Sequence, residues 1–85
     1  PTTTIEFDLP TDAFVTLKIY NIVGQEMGTL LNHEALDYGN QSVDFDASNL
    51  PSGVYFYRIS AQSLNDDGVS TGQVFKQVKK MMLVK

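Results

Sequence analysis

Residues 15–20, with the sequence VTLKIY, are the stretch that decides the fold class. Val15, Leu17 and Ile19 alternate strictly with a threonine, a lysine and a tyrosine. In an extended chain successive side chains point to opposite faces, so this alternation gives one apolar face and one polar face. The stretch therefore predicts a β-strand with one face buried in a core.

Shorter versions of this pattern recur along the chain and are separated by residues that favour turns, such as the Asn-Asp-Asp-Gly of residues 65–68. We expect strands over residues 5–9, 15–20, 25–31, 41–46, 53–62 and 72–85. The segment DASNLPSG at 46–53 is expected to hold at most one short helical turn. No segment repeats its apolar residues every 3.6 positions over a helix length. The sequence therefore predicts an all-β, immunoglobulin-like antiparallel β-sandwich of six to seven strands.

Length and composition indicate one folded domain over residues 1–85. The chain has 85 residues, of which 42% are hydrophobic, and it contains no cysteine. Its opening, PTTT, resembles a cut through a linker, so we expect a domain cut from a longer secreted protein. No stretch approaches the roughly 18 consecutive apolar residues of a membrane span.

The charges are unevenly distributed. Ten acidic residues against six basic ones give a net charge of −4, which argues against binding to nucleic acid. All ten acids lie at or before Asp67, whereas Lys76, Lys79, Lys80 and Lys85 lie in the last ten residues. The body is acidic and the tail is basic.

The residues needed for catalysis are missing, so we expect no enzyme activity and no cofactor. His33 is the one histidine, and beside Glu34 it is expected to lie solvated in a loop. Without cysteine, and with a single histidine as a base, the chain offers no convincing nucleophilic site. It also lacks a glycine-rich phosphate loop, and a sandwich this small has little room for a cleft between paired carboxylates.

Two acidic segments are candidate calcium sites because calcium prefers oxygen ligands. Asp44, Asp46 and Asn49 lie close in sequence, and Asp66 and Asp67 share a turn. Neither segment has the spaced ligands of a dedicated calcium loop. An outward strand face and a plain turn are the favoured interpretations.

The most aromatic strand also has two interpretations. Tyr55 and Tyr57 alternate in phase with Ile59, which predicts core packing. The aromatic residues left as candidates for stacking on sugar rings are Phe56, Tyr20 and Tyr38. Carbohydrate binding is thus an alternative function. Binding to insoluble polysaccharide that is lost in the Phe56→Ala variant would favour it.

The C-terminal segment is unusual because chain ends are commonly polar and frayed. It ends in MMLVK, with four apolar residues framed by lysines. One interpretation is a central strand that is apolar on both faces. The other is a strand near a sheet edge that another protein captures by strand addition.

Four segments, in order, resemble a known family: the type A C-terminal sorting domains of the type IX secretion system, found in Bacteroidota. They are PTTTIEFDLP (1–10), VTLKIYNIVGQEMGTLLN (15–32), VDFDASNLPSGVYFYRI (43–59) and KQVKKMMLVK (76–85). The immunoglobulin-like domain of the flagellar hook-capping protein is similar. The insert at 62–71 departs from the family pattern because it is longer and more acidic.

The resemblance implies a non-catalytic secretion signal at the C-terminus of an exported cargo protein. The outer-membrane type IX translocon would recognise the folded domain after the cargo has reached the periplasm. A sortase-like cysteine peptidase would then remove the domain, and the cargo would reach the cell surface or the medium.

The resemblance also assigns candidate residues for recognition by the translocon. Gly53 and Tyr55 match the middle motif, and the closing motif contributes Lys80, Met81, Met82, Leu83, Val84 and Lys85. On physical grounds Gly53 is expected to need an unusual backbone angle, and Tyr55 to pack in the core.

Other functions remain open from the residues alone. They are a carbohydrate-binding or spacer module of a secreted hydrolase, and a structural immunoglobulin-like domain of an adhesin or appendage. A native chain that continues well beyond Lys85 would favour the structural role. An exposed apolar last strand also makes a strand-exchanged dimer an expectation.

Overall fold

The structure is a computed structural model that describes residues 2–84. Six strands are present in that range. They are β1 (Thr2–Leu9), β2 (Ala13–Tyr20), β3 (Glu26–Leu36), β4 (Gly39–Asp46), β5 (Gly53–Leu64) and β6 (Ser70–Leu83). No helix occurs among these residues, and so none that could cross a membrane.

The strands form two antiparallel sheets. The larger sheet has the order β3-β2-β5-β6, and the smaller one pairs β1 with β4. β2 lies in the middle because it pairs with β3 on one side and with β5 on the other. The expected all-β, immunoglobulin-like antiparallel sandwich is confirmed.

The core lies between the two sheets and follows the alternation that the sequence predicts. Val15, Leu17 and Ile19 of β2 are completely buried. The full set of buried apolar residues is Ile5, Phe7, Leu9, Ala13, Val15, Leu17, Ile19, Phe45, Ala47, Tyr55, Ile59, Ala61 and Leu83. Each sheet therefore buries one face, as period-two patterning requires.

The expected loop around His33 was wrong. β3 continues to Leu36, and His33 lies within it at a φ of +52°, which is rare for a residue other than glycine. Its backbone N–H donates to Thr16 Oγ1 (3.2 Å), and its ring stacks on Phe14 with centroids 4.3 Å apart. The β2–β3 register shifts nearby, so β3 contains a bulge at this point. The strand therefore continues through residues whose sequence pattern predicts a loop.

Two further expectations concern the loop at residues 46–53 and the last strand. The loop contains one hydrogen-bonded turn, from Leu50 N to Ala47 O (3.0 Å), and no helix. Within the described residues, β6 pairs with β5 and with no other strand. The interpretation of a central last strand was therefore wrong, and the edge interpretation is the one that fits.

The smaller sheet does not cover the whole inner face of the larger one. Along β6, Phe75 and Met81 pack partly against the core and Leu83 is buried. Gln77 and Lys79 share that face but are exposed. The middle of β6 is therefore open to solvent on both faces.

Candidate recognition surface

The turn between β2 and β3 is held by the side chain of Asn21. Asn21 Oδ1 accepts the backbone N–H groups of Val23 (3.0 Å) and Gln25 (2.9 Å), and Asn21 O accepts from Gly24 N (3.0 Å). Gly24 has a φ of +88°, which favours glycine. The two residues at the tip, Ile22 and Val23, are 71% and 75% exposed.

The turn between β5 and β6 has the same construction. Asn65 Oδ1 accepts from Asp67 N (2.9 Å) and Val69 N (3.0 Å), and Asn65 O accepts from Gly68 N (2.9 Å). Here the two tip residues are Asp66 and Asp67, which suit exposure to water. Because this turn forms equally well with acidic tip residues, its geometry does not explain the exposed Ile22 and Val23.

The corner before β5 is fixed by Gly53 and Tyr55. Gly53 has a φ of +154°, which confirms the expected unusual backbone angle. Tyr55 is 5% exposed, as expected for a core residue, and its hydroxyl donates to Pro51 O (2.8 Å). This bond from a tyrosine at the start of a strand to an upstream carbonyl is like the tyrosine corner of immunoglobulin domains.

An open, mainly apolar groove of about 330 Å³ lies between the Asn21 turn and this corner. Its lining residues are Asn21, Ile22, Met27, Pro51, Ser52, Gly53, Val54 and Tyr55. Met82 of β6 is the register partner of Val54 and is 65% exposed. We call this end of the molecule, formed by Ile22, Val23, Met27, Val54 and Met82, the apolar end surface.

The structure divides the sequence-predicted tail residues into two groups. Leu83 is 5% exposed, opposite Gly53, and Met81 packs partly against the core opposite Tyr55. By contrast, Lys80, Met82 and Val84 are exposed, and Val84 follows the end of β6. Lys85 lies outside the described residues. Lys80, Met82 and Val84 are thus available for contact with a partner, whereas Leu83 serves the fold.

The free edge of β6 is long and regular. From Gly53 opposite Leu83 to Gln62 opposite Val74 the register with β5 is unbroken. The edge strand on the other side of this sheet, β3, has three register shifts. Bulges twist an edge away from new partners, so β6 is the better template for an added strand.

In the first of the two acidic segments considered as calcium sites, both carboxylates accept hydrogen bonds from the protein. The Asp44 carboxylate accepts from Thr4 Oγ1 (2.9 Å), and Asp46 Oδ1 accepts from Ser48 N (2.9 Å). Within residues 2–84, no three histidine or acidic residues are grouped as a metal site would require.

The candidate sugar-stacking residues do not form one platform. Tyr20 and Phe56 are neighbours across β2 and β5, and both are half-buried. Tyr38 is 73% exposed but lies between β3 and β4, away from this pair.

Sequence reasoning did not single out Ile22, Val23, Met27 and Val54. Apolar tip residues within an Asn-x-x-Gly turn were the available signal for the first two. Their significance becomes clear only from the hydrogen bonds that the two turns share.

Comparison with protein-family models matches residues 1–68 to the secretion system C-terminal sorting domain. The matched range contains β1 to β5 and the tip of the Asn65 turn, and it stops before β6. No curated protein and no solved structure matches the chain.

Proposed function

We propose a role in protein export. The premise is that the chain belongs to the secretion system C-terminal sorting domain family. Membership makes the domain a C-terminal sorting signal for type IX secretion, which implies interaction with the type IX machinery and a surface or extracellular destination. In our proposal the domain is non-catalytic and directs an attached cargo from the periplasm through the outer-membrane translocon. A sortase-like peptidase then removes it.

The apolar end surface is the observation that supports recognition of the folded domain. Its residues come from the β2–β3 turn, the start of β3, the start of β5 and the end of β6, which folding brings together. Contiguous exposed apolar patches commonly mark interaction sites. The exposed tail residues Lys80 and Val84 flank Met82 of this surface in sequence, so we propose that the translocon contacts all three tail residues together with the rest of the surface.

The family match ends before β6, so the proposed role of β6 rests on its position and exposure in the structure. The similarity of this domain to the flagellar hook-capping protein likewise stays a prediction.

The experiment that tests the proposal makes the two asparagine turns alike. Residues 1–85 are fused to a periplasmic reporter in a host with a working type IX system, and the variant carries Ile22→Asp and Val23→Asp. Because the Asn65 turn forms with two aspartates at its tip, we expect this variant to fold normally. We expect its export to fall at least about tenfold, because desolvating an unpaired charge at an apolar contact is costly.

The matched control carries Asp66→Ala and Asp67→Ala at the second turn and is expected to export normally. Thermal melts of the purified domains establish that both variants are folded. Normal export of the folded Ile22→Asp, Val23→Asp variant would rule out the apolar end surface as the recognition site.

A further inference from the structure

The outer face of β6 carries an alternating row of exposed apolar and cationic residues. In order along the strand they are Val74, Lys76, Val78, Lys80 and Met82. Their register partners on β5 are Gln62, Ser60, Arg58, Phe56 and Val54, all of them half-buried. The row is therefore the rim of the sheet and the surface next to which an added strand would lie.

The lysines of this row have no ionic partner in the described chain. The salt bridge found within residues 2–84 joins Lys18 to Glu26 (3.0 Å), two strands away from β6. Arg58, which lies between Lys18 and Val78 in the register, adds a further cation to the same face. An otherwise acidic protein thus presents a cationic rim.

From this charge and register we propose that the free edge of β6 accepts an extended segment of a protein partner whose acidic and apolar residues alternate. The acids would lie opposite Lys76 and Lys80, and the apolar residues opposite Val74, Val78 and Met82. Cross-strand pairs of opposite charge stabilise a sheet, and the backbone groups of the edge supply the hydrogen bonds. The inference deepens the proposed function, on which it rests, by naming the chemistry of the partner.

A second copy of this chain is a poor occupant of the same edge. In an antiparallel pairing centred on Val78, Lys76 of one copy would lie opposite Lys80 of the other. Like charges directly opposite each other destabilise a sheet. Lysines on an edge strand are also a known defence against self-association. Lysines that only prevent self-association would not bind an acidic strand, whereas lysines that dock a partner would.

The test uses the whole chain and synthetic nine-residue peptides. In the acidic peptide the first, fifth and ninth residues are valine, the third and seventh are glutamate, and the rest are threonine. A second peptide has lysine in place of both glutamates. Binding is followed by NMR chemical-shift changes, which we expect to concentrate on β6 and to occur with the acidic peptide alone.

The variant that carries Lys76→Glu and Lys80→Glu is expected to reverse this preference. Its affinity for the acidic peptide should fall at least about tenfold, and it should bind the lysine peptide instead. Lys79→Glu, on the other face of the same strand, is the matched control and should keep the original preference. If the double variant does not fold, the Lys76→Gln and Lys80→Gln variants should each weaken binding of the acidic peptide.

The proposal is overturned if both peptides bind equally, if neither binds at millimolar concentration, or if two copies of the chain pair edge to edge through their β6 strands instead. Such a result leaves the proposed function standing as long as export still depends on Ile22 and Val23. Normal export of the Ile22→Asp, Val23→Asp variant would count against the proposed function without deciding which peptide β6 prefers.

Discussion

Gly53 shows how one backbone angle shapes the apolar end surface. It lies at the start of β5 with a φ of +154°, and its register partner is the buried Leu83. The turn of the chain at this point lets Pro51 approach the Tyr55 hydroxyl. A residue with a side chain rarely adopts such an angle, so the corner depends on glycine.

We predict that Gly53→Ala lowers the free energy of unfolding by about 1–3 kcal/mol. Apart from Gly53 and its two chain neighbours, no residue has an atom within 4 Å of where the new Cβ would be, so the cost arises from the backbone conformation and not from a clash. Equilibrium unfolding in urea measures it. Gly28→Ala is the matched control, because Gly28 has equally open surroundings and no positive φ. Equal losses in the two variants would contradict the explanation.

At the scale of elements, β6 serves the fold through one face and leaves the other exposed. Phe75, Met81 and Leu83 contact the core, whereas Val78 and Met82 are 60% and 65% exposed on the opposite face. Deleting the end of β6 would consequently remove packing and exposed contacts together. Single substitutions on the two faces separate the two effects.

We predict opposite outcomes for two neighbouring residues of β6. Leu83→Ala should lower the free energy of unfolding by about 2 kcal/mol, at the low end for a buried leucine because the strand ends there. Met82→Glu should leave stability within about 0.5 kcal/mol, since it lies on the surface, yet reduce export of a fused reporter. Urea unfolding measures the free energy of unfolding, and the export assay measures secretion of the fused reporter. Val69→Glu, with 58% exposure at the other end of the sheet, should affect neither.

The elements differ in how far the sequence reveals them. The alternation in β2 predicted its buried face correctly, because every second residue enters the core. The end of β3 was missed, because the bulge at His33 breaks the alternation while the strand continues. The edge position of β6 was also undecided, since alternation does not specify which strands pair. Likewise the turn at Ile22 and Val23 could be located, but not the hydrogen bonds that set their exposure.

On the scale of the whole molecule, charge is divided between the sheets. The small sheet carries Glu6, Asp8, Asp44 and Asp46, and neither of its strands contains a cation. The outer face of the large sheet carries the cationic rim of β6 together with Arg58, while Lys18 there is paired with Glu26 of β3. The net charge of −4 therefore hides two surfaces of opposite sign.

We predict a monomer in dilute solution, with a strand-exchanged dimer as a minor form that Asn65→Ala makes more abundant. Exchange of β6 requires the β5–β6 turn to open, and the Asn65 side chain closes that turn through two hydrogen bonds. Without them the closed turn loses stability while the pairing of β5 with β6 is retained between copies. Sedimentation velocity measures the dimer fraction. Asp66→Ala, in the same turn, is the control and should leave the fraction unchanged.

The apolar end surface has a consequence for quality control. Ile22, Val54 and Met82 are far apart in the chain, and assembly of the four-stranded sheet sets them side by side. A receptor that contacts all three residues at once binds only the folded domain. In an unfolded or half-folded copy the three residues lie on separate segments and cannot be contacted together. The same binding step would then both select folded copies and start their export.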